Sequence, residues 1–292
     1  MLGPAVEDAI EGIAADRTSS ASRLARVALE TIALVTIESP GWKRNPDVLK
    51  EAAQRISDAQ PAMAIVHNVG YLFARLVAEG QEPMAVLREL HAELESARER
   101  IARTFLKVAV PQGTYVTLSY SDNVLESLKA AHERASVARV YVMESGPMFE
   151  GRALAKALAA SDIPSTIVPD SEGPSRVREA SAVLVGADSI LRDGSLINKA
   201  GTSSLALAGL EHEKPVYVVC ESMKFDSRYD AVSWPGAVHT TASDGPSSRQ
   251  TADRIRQDFE VIPGRLISAI VTERGRYTSD VIQTMLSPGR KG

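Results

Sequence analysis

One cysteine, no apolar run of membrane-spanning length and no cluster of lysine and arginine are the first features of this chain, and each absence removes a class of protein. A single thiol, Cys220, cannot form an intrachain disulfide and fits a reducing compartment. Charged residues interrupt every apolar stretch well before the ~20 residues that a bilayer-spanning helix needs. Glu7, Asp8, Glu11 and Asp16 stand where a secretory leader carries positive charge. A cytoplasmic protein without a membrane partner is therefore expected. The formal charge of −4, with no basic run, argues against direct nucleic-acid binding. His67, His91, His132, His212 and His239 never fall at metal-ligand spacing with one another or with Cys220, so neither a metal nor a cofactor is expected. No internal repeat and no low-complexity tract is present.

What the chain does have is apolar residue in quantity. At 292 residues and 44% hydrophobic content it can bury one large core or two modest ones. Up to about Lys107 the pattern is helical. Apolar residues recur at helical spacing from Ser22 to Ile37, Pro61 is expected to start a helix running to Glu79, and Pro83 to start another through Leu87, Leu90, Leu94 and Ile101. From Gly113 the period changes. Short β-prone runs at 115–118, 137–142, 164–168, 182–185 and 215–219 alternate with helical segments at 122–135, 151–161 and 201–211, which implies right-handed βαβ crossovers and a parallel sheet. Residues 226–257 read as turn-rich and irregular, and 266–272 as a final strand. The predicted division is a helical domain over 1–108 and an α/β domain over 109–292.

The most informative stretch is 183–225, VLVGADSILRDGSLINKAGTSSLALAGLEHEKPVYVVCESMKF. The apolar strand ending at Val185 delivers Asp188 to the C-terminal edge of a sheet, where ligands of open α/β sheets gather. Asn198, Lys199, Gly201 and Thr202 are expected to open a helix whose free amides, with the Lys199 ammonium, form a phosphate cradle.

The motif series GADSI, LINKAGT, PVYVVCESMKF and VTERG, preceded by VTLSYS and YVMESGPMFEG, resembles the translation initiation factor 2B alpha/beta/delta subunit family. The sugar-phosphate isomerases acting on ribose 1,5-bisphosphate and methylthioribose 1-phosphate belong to the same superfamily. The resemblance implies a helical N-terminal domain on a Rossmann-like C-terminal domain, a homodimer or higher homo-oligomer formed through the latter, and a ligand pocket between the two. It assigns the acid/base aspartate to Asp188 and the phosphate-side pair to Asn198 and Lys199.

Several departures bear on chemistry. Ser119, in Thr117-Leu118-Ser119-Tyr120-Ser121, stands where the isomerases carry a cysteine, and a hydroxyl needs an adjacent base that neither Leu118 nor Tyr120 supplies. Gly146, in Glu144-Ser145-Gly146-Pro147, and Gln60, before Pro61, occupy two positions where those enzymes set arginine against phosphate. Their phosphate loop is replaced by Ser19-Ser20-Ala21-Ser22, flanked by Arg17 and Arg23. Loss of guanidinium forks removes bidentate phosphate recognition, so a bisphosphate should be poorly held.

The same residues have plainer readings. Ser119 and Ser121 also suit a helix cap, Asp188 a turn, Lys199 a solvated surface and Glu144 a turn-stabilising carboxylate. Cys220 reads as an inert buried thiol, and His67 as a helix-packing residue rather than a ligand. Arg274 can reach the site or clamp the last strand. The expectation is an initiation factor 2B alpha-like protein that binds a sugar phosphate or nucleoside monophosphate. Ser20, Ala21, Arg23, Glu144, Asn198, Lys199, Gly201 and Thr202 contact the ligand, with Asp188 and Ser119 at its reacting carbons. The alternative is an aldose-ketose isomerase using Asp188.

Overall fold

The computed structural model describes residues 2–16, 19–43, 45–61, 63–236, 238–241 and 254–287. The N-terminal part is helical: α1 (Pro4–Ala15), α2 (Ala21–Glu38), α3 (Asp47–Ala59), α4 (Ala64–Ala78) and α5 (Pro83–Phe105). In α2 the apolar stripe Leu24, Ala25, Ala28, Leu29, Ile32 and Val35 is buried, and Ser20 caps the helix by accepting from the Arg23 amide at 3.3 Å. At the start of α5, Pro83 fills a position whose N–H would have no helical partner, and the Glu82 carboxylate accepts from the Met84 and Ala85 amides at 3.0 and 2.6 Å. The helix expected from Pro61 begins three residues later. Pro61 lies in a turn closed by Met63 N–H to Gln60 C=O at 3.0 Å, and the first amide of α4, Ala64, donates to Ser189 Oγ at 2.9 Å. A side chain from the far half of the sequence thus sets that helix start.

Beyond α5, the order is β1 (Thr114–Leu118), α6 (Asp122–Ala135), β2 (Arg139–Met143), α7 (Glu150–Ala159), β3 (Ser165–Val168), the single turn α8 (Gly173–Arg176) and β4 (Ala182–Val185). There follow β5 (Ser189–Leu191), β6 (Leu196–Lys199), α9 (Thr202–Glu211), β7 (Val216–Val219), β8 (Phe225–Asp226), β9 (Val238–Thr241) and β10 (Arg254–Gln257). β11 (Phe259–Ile262), β12 (Ala269–Thr272), β13 (Gly275–Tyr277) and α10 (Ser279–Leu286) complete the chain.

Six parallel strands run in the order β3-β2-β1-β4-β7-β12, with antiparallel β13 at one edge. That is the order of a doubly wound sheet, in which the winding direction reverses between β1 and β4. The fold class is therefore α/β, with a helical N-terminal part and a mainly parallel Rossmann-like sheet. Ala182, Val183, Leu184 and Val185 are wholly buried, as a strand covered on both faces must be. Leu87, Leu90 and Leu94 of α5 join the helical core, whereas Ala97, Ile101 and Phe105 of the same helix join a core under the sheet. Each of these leucine, isoleucine and phenylalanine side chains contributes about 1.5–3 kcal/mol on burial, so one helix ties both cores together.

Two expectations are corrected here. Asn198 and Lys199 do not open a helix: they end β6, which pairs with β5 and β11 in a four-stranded sheet of order β11-β6-β5-β8. Strands of two to four residues carry too short an alternation to be read locally. The strand expected at 266–272 begins at Ala269, after a 3-10 turn at Gly264–Leu266, and is not the final one, since β13 follows it. Within the stretch expected to be irregular, β9 and β10 form an antiparallel pair, while Ser243 to Ser248 lie outside the described residues. Among the described residues no helix is long and apolar enough to cross a membrane.

Candidate functional site

A cavity of about 420 Å³ opens at the C-terminal ends of β1 and β4, where the sheet changes winding direction. The loop after β1 supplies Ser119, Tyr120, Ser121 and Asp122, and the loop after β4 supplies Gly186, Ala187 and Asp188. Asn198 and Lys199 enter from the end of β6, Glu150 from the head of α7, Lys224 from the turn after β7, and Ser19 to Ser22 with Met63 from the helical part. The pocket therefore lies between the helices and the sheet.

Of the ten residues singled out from the sequence, six line the cavity and four do not. Ser20, Ala21, Ser119, Asp188, Asn198 and Lys199 line the cavity; Arg23 does not, its exposed side chain lying outside the wall. Glu144 is also outside, paired with Arg152 at 2.7 Å. Gly201 and Thr202 stand behind the wall. The Thr202 hydroxyl accepts from Asn198 Nδ2 at 2.9 Å and donates to Lys199 C=O at 2.6 Å, and the Ser203 amide donates to Glu260 Oε1 at 2.6 Å. A carboxylate of the protein thus occupies the start of α9, where a phosphate was expected. Gly201 itself has φ +104°, a left-handed geometry that glycine adopts without penalty and that lets β6 turn into α9.

Ser119 also has a left-handed backbone, with φ 58°, as do Ser145 and Phe149 with φ 61° and 56°. Each costs on the order of 1 kcal/mol and is held by specific bonds. Ser119 N–H donates to Ser145 Oγ at 2.7 Å, and Asp170 accepts from the Ser145 and Gly146 amides at 2.7 and 2.8 Å. Gly146, at an expected arginine position, is thus part of a backbone clamp. Gln60, at the other, is turned away from the cavity: its amide donates to the carbonyls of Ile13, Ala14 and Asp16 at 2.7, 3.3 and 3.0 Å and so closes the C-terminal end of α1. Arg17 lies outside the described residues.

The electrostatics centre on two lysines and their partners. Lys199 Nζ meets Glu150 Oε1 at 2.8 Å, and Ser119 Oγ donates to Glu150 Oε2 at 3.3 Å. Lys224 is buried against Glu221 at 3.2 Å, and Glu221 also accepts from Ser22 Oγ at 2.7 Å and Asn123 Nδ2 at 2.8 Å. Burial alone would raise the Glu221 pKa, but Lys224 and these donors outweigh it and hold the carboxyl below its ordinary value. Burial pushes Asp188 up to about 6, against the pull of Lys224 and Lys199, while the nearby Glu150 charge adds to the rise. An acid with that pKa exchanges protons near neutrality.

Sequence reasoning missed Glu150 and Lys224. Both sit inside motifs already noted, GPMFEG and ESMKF, but nothing local distinguishes them from surface charges. Cys220 is wholly buried and burial pushes its thiol up, consistent with an inert packing residue. His67 stacks on Tyr71 with ring centroids 6.0 Å apart and is not on the cavity wall. Arg274 clamps rather than binds, lying 4.0 Å from Glu93 of α5 and 3.4 Å from Glu273. Among the described residues, no group of three His, Cys, Asp or Glu side chains is arranged to hold a metal ion.

A doubly wound α/β sheet carrying a helical N-terminal part, with a polar pocket at the switch point, defines the class of protein. More particularly, the chain belongs to the Initiation factor 2 subunit family, which it matches over residues 17–279. It is 28% identical over 275 residues to the putative translation initiation factor eIF-2B subunit 2-like of Pyrococcus furiosus, covering 94% of this chain and 97% of that protein. It is equally, 28% over 310 residues, similar to the ribose 1,5-bisphosphate isomerase of Haloterrigena turkmenica, covering 98% and 94%. Among solved structures, the translation initiation factor eIF-2B of Pyrococcus horikoshii OT3 superposes with a TM-score of 0.83 at 28% identity, covering 95% of this chain and 98% of that one.

Proposed function

We propose that this pocket binds a phosphorylated small molecule carrying one phosphate, a sugar phosphate or nucleoside monophosphate, with Lys199 and Asn198 on the phosphate side. The observation that carries this reading is the charge on the cavity wall. Its described residues include two lysines and no arginine, and both lysines already face carboxylates. A single phosphate can take over Lys199 from Glu150; a second would meet no guanidinium. Relatives at similar identity bear both initiation-factor and isomerase names, so names do not choose between binding and catalysis.

Thermal unfolding with ribose 5-phosphate, ribose 1,5-bisphosphate and AMP tests the reading. A ligand at a hundred times its Kd adds about 2.7 kcal/mol of stability, which appears as a rise in Tm of several degrees. The monophosphates should give the larger shift, and Lys199→Ala should abolish it. No shift with any of the three would remove the reading.

A second reading, aldose-ketose isomerisation of the bound sugar phosphate, is favoured by one observation: Asp188 lines the cavity with its carboxyl near 6. We also propose that the chain self-associates through its C-terminal part, as a homodimer or higher homo-oligomer. Leu207 and Leu210 of α9, 52% and 63% exposed, support that face.

A further inference from the structure

The Ser119 hydroxyl has a base beside it that the local sequence conceals. Glu150 is the first residue of α7, and α7 packs so tightly on the end of β2 that a Cβ on Gly151 would lie 1.9 Å from the Met143 carbonyl oxygen. That approach carries the Glu150 carboxylate into the cavity, where one oxygen accepts from Lys199 at 2.8 Å and the other from Ser119 at 3.3 Å. The Glu150 side chain is 18% exposed and Lys199 12%, so the pair is sheltered yet open to the cavity it lines. Asp188 stands on the same wall and within the field of both charges.

We propose that Glu150 is the second proton-transfer group of this pocket, working with Asp188 on the adjacent carbons of an open-chain aldose phosphate. The role rests on the isomerase reading above. In the first half, the Glu150 carboxylate removes the proton from C2. The C2–H electron pair forms the C1=C2 bond, and the carbonyl π pair moves to O1, which takes the proton of Asp188. The enediol then collapses the other way. The Asp188 carboxylate takes the O2 proton, the O2–H pair forms the C2=O2 bond, and the C1=C2 pair takes the proton of Glu150 at C1. One hydrogen has moved from C2 to C1 and one from O2 to O1, both carboxyl groups are restored, and no oxidant, reductant or metal is consumed. Ser119 does not touch the reacting carbons in this scheme. It is a positioning residue that fixes the Glu150 carboxylate through its left-handed loop.

The test is turnover of ribose 5-phosphate, which has a free C1 aldehyde in its open-chain form, by wild type, Glu150→Gln, Asp188→Asn and Ser119→Ala. It is followed by NMR in D2O beside thermal-shift binding of the same compound. Wild type is expected to form a ketose phosphate and to wash deuterium into C1. Glu150→Gln and Asp188→Asn should each lower kcat at least about 100-fold with KM within about threefold, and Ser119→Ala should lower it less than about tenfold. Turnover by wild type with a smaller loss in Glu150→Gln would overturn the role of Glu150 and leave the isomerase reading standing. Binding without turnover or exchange by wild type would overturn both of these and leave ligand binding. Absence of binding as well would overturn all three.

Discussion

Asp188 holds a carboxyl whose pKa is raised from 3.8 to about 6, and that is a statement about stability as well as chemistry. The folded state binds the proton more tightly than the unfolded chain does. Its favourable contribution is complete below about pH 4 and is lost as pH rises through 6, so above 6 the ionised, desolvated carboxylate weighs against the fold. Asp188→Asn is therefore expected to stabilise the protein by roughly 1–3 kcal/mol at pH 7.5, with the gain vanishing near pH 4. Urea denaturation at the two pH values reads this directly, and a gain independent of pH would contradict it. The identity of this aspartate was legible because it follows a continuous apolar strand. Its pKa was not, because it rises through burial that only the fold creates, while Lys224 and Lys199 oppose and Glu150 adds to that rise from three separate elements.

Gln60 shows how an element can reassign a residue. From sequence alone it marks a missing arginine; in the fold it is 7% exposed and donates to three carbonyls at the end of α1. Gln60→Ala should cost about 1–3 kcal/mol, the usual loss when buried hydrogen bonds lose a partner. The expected accompaniment is faster amide exchange in α1 with α9 unchanged, whereas uniform exchange would place the effect elsewhere. The long helices and the buried strands were legible because their period repeats over many residues: Asp122–Ala135 and Ala182–Val185 fall where the pattern put them. The hairpin β5–β6 was not, since seven strand residues hold too few repeats, and its pairing with β11 joins residues some 60 positions apart. That pairing moved Asn198 and Lys199 from a helix start to a strand end, and Glu260 took the helix start instead.

The whole molecule brings a helical part and a doubly wound sheet together around one cavity, with α5 packed into both cores. Self-association belongs to this scale. Light scattering is expected to give at least twice the 31.3 kDa chain mass, and Leu207→Glu with Leu210→Glu to return it to the monomer value. A monomer in the unsubstituted protein would remove that proposal. By itself the sequence determined the fold class, the family, and the placement of Ser119 and Asp188 at the ends of sheet strands, because those depend on periodicity and on motifs contiguous in the chain. Only the tertiary structure decided which charges face one another. Glu150 with Lys199, Glu221 with Lys224 and Glu260 with the α9 amide are contacts across 49 and 57 residues or within a buried turn, and their energies depend on burial and distance, which no local pattern encodes.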